Sequence, residues 1–426
     1  MKRTKVLALI LAVAVLATAV FALTACKDDE TKGEITLPPY EAIETPDYSS
    51  VTVPADFKIG FIFLHDANST YDKNFIDAAE EAVAAMGLTD AQVEYRTNID
   101  ESEECYNTAR ELVDAGCDVI FADSFGHETY MLKAAKEFPN VEFCHATGTM
   151  AHTAGLANFH NAFASIYEGR YLAGIAAGMK LKELYGDENG NVSAENAKIG
   201  YVGAFTYAEV ISGYTSFYLG AKSVVSNVTM EVTFTGSWYD EAAEREGANN
   251  LISRGAKLIS QHADSMGAPS ACEVAGIPNV SYNGSTYSAC PNTFIVSSRI
   301  NWVPYFKYII AQKAKGEAIA ADYTGSIKDG SVVLTNLGSA AAAGTVEAIV
   351  AARTQLANGT LNVFDTSKFT VGGETKTSYK ADVDTDADYT PDTEVIENGV
   401  FRESKYRSAP YFDLRIDGIT LLDEEY

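Results

Sequence analysis

Residues 101–122 have the sequence ESEECYNTARELVDAGCDVIFA, and this stretch contains the repeating unit that determines the fold. Residues 101–115 have a helical composition and stop at Gly116, and the apolar run 118–122 that follows is typical of a buried strand. On either side, the same alternation predicts strands at 57–63, 93–95 and 141–146 and helices at 78–86 and 128–137. Strands and helices that alternate in this way predict a parallel sheet with helices on both faces.

The alternation starts a second time after a long helix predicted at 162–184. The second set comprises strands at 199–203, 228–234, 257–262 and 279–283, helices at 209–225, 240–254 and 268–275, and two further helices at 300–316 and 339–357. Two such sets predict an α/β protein made of two Rossmann-like, doubly wound lobes joined by a hinge. Ligands bind beyond the carboxyl ends of the strands in such sheets, so we expect a ligand cleft between the lobes.

We expect lobe 1 to comprise residues 57–160 plus about 285–316. Lobe 2 is expected to comprise residues 161–284 plus about 317–365. Thr, Asp and Tyr dominate residues 366–426, which predicts a C-terminal extension that either wraps the lobes or forms a tail.

The N-terminus has the pattern of a bacterial export signal, a basic start followed by an uncharged apolar run at 6–25. The run ends in LTAC at 23–26, which resembles a lipobox, in which the cysteine is lipidated. We therefore predict a signal peptide at 1–25, lipidation of Cys26, a tether at 26–56, and a lipid-anchored protein on the extracytoplasmic face of the cell membrane. A retained membrane anchor is the alternative, because the run is long enough to span a bilayer.

The charge of the chain excludes two classes of partner. With 32 Lys+Arg and 58 Asp+Glu, the formal net charge is −26, and removal of the three basic residues of the signal peptide makes it −29. Nucleic-acid phosphates and anionic lipid headgroups both require basic surfaces. We therefore expect no nucleic-acid partner and no electrostatic attachment of the folded body to a membrane.

Five cysteines follow Cys26, an odd number that leaves at least one thiol unpaired. They are Cys105, Cys117, Cys144, Cys272 and Cys290. They form no C-x-x-C motif and no zinc-like spacing with histidine, so we interpret them as small buried residues. A disulfide between 272 and 290 or between 105 and 117 remains open at this point.

The sequence carries no recognised catalytic or cofactor motif. It lacks G-x-S-x-G, H-E-x-x-H, a Walker A motif, and a G-x-G-x-x-G after the first strand, and its six histidines are scattered. The acidic alternation at 382, 384 and 386 lacks the Gly and Glu of an EF-hand loop. We therefore predict a protein that is not an enzyme and has no cofactor and no metal site.

Aromatic and polar side chains recur in the loops that follow the predicted strands. The candidate ligand-binding residues among them are Tyr71, Phe75, Asp123, Ser124, Phe125, Phe205, Glu209, Trp238, Asp264 and Asn283. Aromatic faces beside carboxylates and amides suit a flat heterocycle with polar edges, and they also suit a sugar. Each residue has an ordinary alternative role, because aromatics pack lobes together and Asp or Ser caps helices.

Several motifs also resemble one known family. They are FADSFGHE (121–128), KEFPNVEFCHATGT (136–149), YEGRYLAGIAAGMK (167–180), IGYVGAF (199–205), WYDEAAE (238–244), ISQHADS (259–265) and the Asn-Trp-x-Pro-Tyr run at 301–305. From about Lys58 to Leu361 the chain resembles the basic membrane protein family of substrate-binding lipoproteins, of the purine nucleoside receptor type. The resemblance implies the type I periplasmic binding fold, a purine nucleoside or nucleobase ligand, and an ABC transporter permease as partner.

The resemblance also implies roles for single residues, with departures. The family's Asp-Lys-Ser-Phe-Asn motif matches residues 72–76, which keep the stacking Phe75 but have isoleucine in place of the base-reading asparagine. The family aspartate that holds ribose hydroxyls matches Asn283, and Arg299 is nearest to the lysine that follows it. Glu168 lies in the longest matching motif and is a candidate hydrogen-bond acceptor for a ligand N–H, with a salt bridge to Arg170 or hinge packing as the alternative.

Together these observations predict a monomeric, lipid-anchored binding protein of an ABC importer. Phe75 and Phe205 (or Tyr71) would sandwich the purine ring, and the polar candidates would bind its edges or a ribose. The open alternatives are another small solute, such as a sugar or a vitamin-like heterocycle, and a surface protein or sensor that serves no importer.

Overall fold

The computed structural model describes residues 33–39, 42–384 and 390–423. The predicted signal peptide and Cys26 lie outside these residues. Within the described ranges, none of the helices is both long enough and apolar enough to cross a membrane.

Two sheets dominate the described part of the chain. Their strands are β1 (Ile59–Ile62), β2 (Val93–Arg96), β3 (Val119–Ala122), β4 (Glu142–Ala146), β5 (Phe159–Ala164), β6 (Lys198–Gly203), β7 (Thr229–Phe234), β8 (Ile259–Gln261), β9 (Asn279–Tyr282), β10 (Phe294–Ile300), β11 (Asp322–Gly325) and β12 (Val332–Leu334). Short strands follow at β13 (Lys380–Ala381), β14 (Thr393–Glu394), β15 (Ile396–Glu397), β16 (Val400–Phe401) and β17 (Ile419–Leu421).

The α-helices lie between these strands. They are α1 (Thr70–Ala85), α2 (Glu103–Asp114), α3 (Glu128–Glu137), α4 (Ala151–Ala154), α5 (Tyr167–Tyr185), α6 (Ala208–Val224), α7 (Glu241–Ser253), α8 (Gly267–Ala275), α9 (Val303–Lys315) and α10 (Thr345–Ala357). Helix α1 begins eight residues before the predicted helix at 78–86, because the Ser69 side chain caps it by accepting from the Asp72 N–H at 3.2 Å. Its first turn consequently brings Tyr71 and Asp72 to the end of β1.

The predicted α/β architecture with two parallel sheets is confirmed. The first sheet has the order β11-β5-β4-β3-β1-β2, and its strands are parallel. The second has the order β12-β10-β9-β8-β6-β7-β17, with only β12 antiparallel to its neighbour among the described strands. We use lobe 1 and lobe 2 for the bodies built around these sheets.

Sheet membership differs from the predicted lobe boundaries at three strands. β10 lies in the segment predicted for lobe 1 but pairs with β9 in the second sheet, and β11 lies in the segment predicted for lobe 2 but pairs with β5 in the first. No helix separates β9 from β10, so a pattern of strict alternation misses that strand. The predicted boundary after residue 160 divides β5 (Phe159–Ala164), which also includes the start of the helix predicted at 162–184. A fully buried strand and a buried helix are equally apolar runs, so the sequence pattern did not distinguish them.

Between β1 and β12 the chain crosses from one lobe to the other three times. The crossings lie at 165–166, after β5, at 301–302, after β10, and at 326–331, after β11. The strands on either side of the crossings stay linked, since the Ser165 N–H donates to the Gly325 carbonyl at 2.8 Å and the Asn301 N–H donates to the Ser331 carbonyl at 2.7 Å. Three adjacent crossings form a hinge that permits the lobes to open and close.

Lobe 2 contains two helices that touch through glycines. Gly174 in α5 faces the backbone of α6 at Phe217, and Gly220 in α6 faces the backbone of α5 at Tyr171. A Cβ atom at either glycine would overlap the opposite carbonyl oxygen. The close contact of α5 and α6 therefore requires glycine at both positions.

The chain ends and the cysteines complete the fold. In the described part of the predicted tether, Ile35 forms a β-bridge with Leu337, so this part lies against the body of the protein. In the predicted C-terminal extension, β17 adds a parallel strand beside β7 at the edge of the second sheet. The five cysteines that follow Cys26 are free and buried, so neither of the two disulfides left open is formed.

Candidate functional site

The carboxyl ends of both sheets meet around one cavity between the lobes, whose empty space is about 380 Å³ including space open to solvent. Lobe 1 contributes residues after β1, β3 and β4 and in the first turn of α1, and lobe 2 contributes residues after β6, β7 and β8 and at the end of β9. The lining residues are Leu64, His65, Tyr71, Asp72, Ser124, Phe125, Thr147, Glu209, Trp238, His262, Asp264 and Tyr282. The cavity thus lies where parallel-sheet topology predicts a ligand.

The structure brings six of the eleven predicted binding residues together. The six that line the cavity are Tyr71, Ser124, Phe125, Glu209, Trp238 and Asp264. The five that do not line it are Phe75, Asp123, Glu168, Phe205 and Asn283. Four of these five lie directly behind lining residues and support them, as described below, whereas Glu168 lies at the hinge.

Phe75 and Phe205 support other aromatic rings instead of lining the cavity themselves. Phe75 is fully buried, with its ring centroid 4.9 Å from that of Tyr71 and 4.5 Å from that of Trp302. The Phe205 ring contacts the Trp238 ring edge-on at a centroid distance of 4.9 Å. Of the aromatic residues predicted from the sequence, Tyr71, Phe125 and Trp238 consequently line the cavity, and Tyr282 joins them.

Two carboxyl groups meet at the lobe 1 wall, where Asp72 lines the cavity and Asp123 lies behind it. Asp123 is fully buried and accepts from the Leu64 N–H at 3.1 Å, and burial together with the neighbouring Asp72 raises its pKa well above the usual range. Burial opposes ionisation of Asp72 as well, but hydrogen bonds from His65 and Ser69 outweigh it and lower its pKa. Asp72 is therefore the member of the pair that ionises first, and Asp123 is the one that keeps its proton to higher pH.

A buried arginine in lobe 2 controls the orientation of Glu209. Arg170, which is 1% exposed, donates from Nη1 to the Gln261 carbonyl at 2.8 Å and from Nη2 to His262 Nδ1 at 3.0 Å, and its guanidinium lies 3.3 Å from the Tyr282 ring centroid. Arginine only donates, so His262 accepts at Nδ1 and carries its proton on Nε2. That Nε2 lies 3.4 Å from Glu209 Oε1. We call this arrangement the Arg170–His262–Glu209 chain.

The charge states in this chain follow from burial. Burial and the positive charge of Arg170 lower the pKa of His262 to about 4, so its ring is neutral at physiological pH. Among the described residues, no carboxylate lies within ion-pair distance of Arg170. Glu209 is the acidic group that the Arg170–His262–Glu209 chain connects to this buried cation. It also lines the cavity.

Asp264 supplies a different hydrogen-bonding group. Burial and the negative charge of Glu244 raise its pKa well above the usual range, which favours the protonated carboxyl, a group that can both donate and accept. The Asn283 side-chain amide donates to Asp264 Oδ1 at 3.4 Å, and Asn283 adopts a left-handed φ of 64°. Asn283 therefore orients Asp264 from behind the cavity wall.

The two lobes also contact each other around the cavity. The Thr70 N–H and hydroxyl in lobe 1 donate to the Asp264 carbonyl in lobe 2 at 3.2 and 3.0 Å. The Phe125 and Tyr207 rings, one from each lobe, lie 5.4 Å apart between centroids. These contacts define a closed arrangement of the cleft.

Residues 61–366 match the family model for PnrA-like ABC transporter substrate-binding proteins, named Bmp. The chain belongs to the Bmp family. The resemblance of its motifs to that family is thereby confirmed, and the family is one of substrate-binding proteins and not an enzyme class.

Two relatives are similar in sequence to this Bmp family member. A purine-binding protein of Brucella abortus is 32% identical over 253 residues, 58% of this chain and 66% of the relative. A protein provisionally named as an ABC transporter glucose-binding protein, from Haloferax volcanii, is 31% identical over 252 residues, 59% of this chain and 60% of the relative. The chain therefore spans less than two thirds of the length of each.

The solved structure supports the fold alone. An ABC transporter solute-binding protein from Conexibacter woesei is similar with a TM-score of 0.59 and 20% identity, over 72% of this chain and 98% of that chain. This agrees with the type I periplasmic binding fold that the motifs imply for the Bmp family.

Glu168 lies at the hinge of this Bmp family member. Its Oε2 accepts from the Ile327 N–H at 2.8 Å, which fixes the third crossing to the start of α5, and burial raises its pKa to about 7. Nearby, Glu403 of the C-terminal extension is 1% exposed and accepts from the Ser212 hydroxyl at 2.5 Å. Burial raises the pKa of Glu403 to about 7 as well, with contributions from Glu209 and Glu168.

We expect the Glu403→Gln variant to be more stable than the wild type at pH 8 and nearly equal to it at pH 5. The pKa of Glu403 rises from 4.5 to about 7 on folding, so its contribution to stability is present below pH 4.5 and is lost as pH increases toward 7. Glutamine stays neutral and avoids this loss. Thermal melts at the two pH values test the prediction, with the exposed Glu374→Gln as control; a larger gain at pH 5 than at pH 8 would contradict it.

Sequence reasoning missed six lining residues. They are Leu64, His65, Asp72, Thr147, His262 and Tyr282. All six lie in or beside the loops already identified at the strand ends, so widening each candidate set by one or two residues would have included them. Thr147 has a left-handed φ of 65°, for which the sequence carries no signal because glycine and asparagine are the usual residues there.

Proposed function

We propose that this protein is the extracytoplasmic substrate-binding protein of an ABC importer and captures a purine nucleoside or nucleobase by closure of its two lobes. The observation that carries the proposal is the cavity between the lobes, in which four aromatic side chains surround groups that can bind the edges of a heterocycle. The purine-binding name of the Brucella relative supports the same ligand class.

The chemistry of the cavity favours a purine over an aliphatic solute. Tyr71, Phe125 and Trp238 offer ring faces on which a flat base can stack. Glu209 can only accept when ionised, so it suits ring and exocyclic N–H groups, whereas the protonated Asp264 can both donate and accept. A purine presents both kinds of group along its edges, so one carboxylate and one carboxylic acid suit it well.

Purine binding should appear as an increase in melting temperature. A ligand that binds only the folded protein stabilises it by about 2.7 kcal/mol when present at a hundred times its Kd. We expect at least one of adenosine, guanosine, inosine, adenine, guanine and hypoxanthine to raise the melting temperature, with uridine and cytidine as controls. Absence of a shift with all six purines would refute the ligand assignment.

A sugar is the second candidate ligand. It is favoured by the glucose-binding name of the Haloferax relative and by Trp238, whose face can also contact the apolar face of a sugar. A shift with glucose or ribose and none with any purine would support this candidate and contradict the first.

We also propose that the mature protein is a monomer attached to the membrane through a lipid on Cys26. Support comes from the LTAC motif at 23–26 and from the family, whose members serve ABC transporters. Mass spectrometry of the N-terminal peptide of membrane-extracted protein should detect an acylated Cys26, and Cys26→Ser should release the protein from the membrane. An unmodified Cys26 that still follows residues 1–25 would contradict the proposal.

A further inference from the structure

The C-terminal extension contains a segment whose two ends both lie on lobe 2. This segment, residues 400–418, starts beside Phe364, because the Phe401 N–H donates to the Phe364 carbonyl at 2.9 Å. It leads into β17, which pairs with β7 in the second sheet. We call residues 400–418 the strap. The family match ends at residue 366, so the strap lies beyond the part of the chain that the family model describes.

Aromatic and polar contacts attach the strap to lobe 2 near its start. The Phe364 ring lies 5.0 Å from that of Tyr167 in the first turn of α5, and Phe412 of the strap stacks on Phe364 at a centroid distance of 4.2 Å. The Ser212 hydroxyl in α6 donates to Glu403 at 2.5 Å. The strap is therefore carried by lobe 2 when the lobes move.

The middle of the strap is a turn with a fixed internal structure. The Tyr411 hydroxyl accepts from the Lys405 N–H at 3.1 Å, and Tyr411 is 3% exposed. The Arg407 guanidinium donates from Nε to the Ala409 carbonyl at 3.1 Å. These bonds close the turn on both sides of Ser408 and fix the direction of its backbone N–H.

This turn contacts lobe 1 at the start of β11. The Ser408 N–H donates to Asp322 Oδ2 at 2.7 Å, and Ser408 is fully buried. Burial lowers the pKa of the neighbouring Arg407, so its positive charge is costly unless negative groups lie near it. Asp322 and Glu128 of lobe 1 are two such groups, in addition to Asp382 of the extension. The turn thus bonds to lobe 1 and places a cation near its carboxylates.

Opening of the lobes would separate the two sides of this contact. Asp322 moves with β11 in the first sheet, whereas lobe 2 carries both ends of the strap. Asp322 is the first residue of β11, and the third crossing follows the last one, so Asp322 lies away from the hinge. N–H···O hydrogen bonds tolerate only about 0.5 Å of lengthening. Relative rotation of the lobes therefore breaks the bond between Ser408 and Asp322.

We propose that the strap holds the two lobes closed in the absence of ligand. The contact between Ser408 and Asp322 involves residues of this chain alone, so it favours the closed arrangement whether the cavity is empty or filled. A hydrogen bond to a charged acceptor contributes more to stability than one between neutral groups. This inference concerns the motion of the lobes and does not depend on the proposed purine ligand.

The strap has a consequence for the binding of any ligand. A cavity that is already closed requires little reorganisation, so the apparent Kd approaches the Kd of the closed arrangement. Entry of a ligand requires release of the strap, and a required conformational change slows association. The strap therefore favours tight binding with slow association.

Distances between spin labels on the two lobes, measured by pulsed electron paramagnetic resonance without ligand, test the proposal. The labels are attached at Asn107→Cys in α2 of lobe 1 and at Asn249→Cys in α7 of lobe 2, both exposed positions. Cys26→Ser removes the remaining cysteine that is not among the five buried ones. With the strap intact, the main peak should lie at the distance of the closed arrangement.

Two variants remove the contact from opposite sides. Asp322→Ala removes the acceptor and Ser408→Pro removes the donor without changing lobe 1. Each should lower the ratio of closed to open protein about tenfold and produce a second population at longer distance. Asp322→Asn keeps an acceptor oxygen and should restore most of the closed population. Asp114→Ala, which removes an exposed carboxylate of lobe 1, is the matched control and should keep the wild-type distribution.

Three outcomes would overturn the inference. They are a main peak at longer distance in the wild type, a wild-type distribution in both Asp322→Ala and Ser408→Pro, and an equal shift in the Asp114→Ala control. Circular dichroism and thermal melts of each variant establish that it is folded. Because no ligand is present, failure of this experiment leaves the proposed function intact.

Discussion

Substitution of Arg170 by methionine should lower the affinity for the proposed purine ligand about a hundredfold. Arg170 donates to His262 Nδ1, and this bond fixes the proton on Nε2, beside Glu209. Without the guanidinium, the imidazole can rotate or change its tautomer, and Glu209 loses both its orienting donor and the buried positive charge behind it. Titration calorimetry with the purine that gives the largest melting shift measures the loss.

A pH profile separates this orienting role from a simple packing defect. Arg170 contributes to the lowered pKa of His262, so the pKa should rise in the variant. A protonated His262 would pair with Glu209 and neutralise it, so affinity of the variant should fall as pH decreases from about 7 to 5, a range in which wild-type affinity stays nearly constant. A packing defect alone would lower affinity equally at all pH values.

Two further variants complete the experiment. Arg170→Lys keeps the charge but has a single nitrogen, which cannot reach both the Gln261 carbonyl and His262 as the fork does, so it should recover only part of the affinity. Arg245→Met removes an exposed arginine of the same lobe, which pairs with Glu241, and should bind as wild type does. If Arg170→Met bound the ligand with wild-type affinity, the Arg170–His262–Glu209 chain would not orient Glu209.

The Gly220→Ala variant should be destabilised by about 3 kcal/mol. Alanine normally stabilises a helix interior by up to about 1 kcal/mol relative to glycine, so the expected sign is opposite to the intrinsic preference. The reason is geometric, since the new Cβ would overlap the Tyr171 carbonyl and force α6 away from α5. Urea unfolding monitored by circular dichroism measures the change.

The matched control is Gly247→Ala in α7. A Cβ atom there would lie 3.2 Å from the Thr233 methyl group, a side-chain contact that can adjust, so this variant should have nearly wild-type stability. Gly174→Ala should behave as Gly220→Ala does, because its Cβ would overlap the Phe217 carbonyl. Equal stability of Gly220→Ala and Gly247→Ala would contradict the close contact of α5 and α6.

Much of the fold was predictable because its signal is local. The strand at 118–122 and the helix at 128–137 follow from apolar runs, glycine stops and helical composition, and the observed β3 and α3 agree within one residue. β10 was missed because its assignment depends on pairing with β9, a contact that no local pattern encodes. The lobe boundaries depend on the same long-range pairing.

The candidate site was predictable as a set of loops but not residue by residue. Tyr71 and Phe75 lie one turn apart on α1, and only packing against Trp302 decides that Phe75 is buried while Tyr71 lines the cavity. Arg170 lies in a recognisable motif, yet its role depends on His262, which is distant in sequence. Spacing along the chain does not report such contacts.

The sequence by itself determined the α/β class, the two-lobed architecture, the family and the loops that surround the cavity, because periodicity, glycine stops and motifs are properties of short segments. Only the tertiary structure decided which aromatic rings line the cavity, which buried carboxyls have raised pKa values, and that the C-terminal extension packs against both lobes. These features depend on burial and on distances between residues far apart in the chain, which exist only after the lobes pack and close on each other.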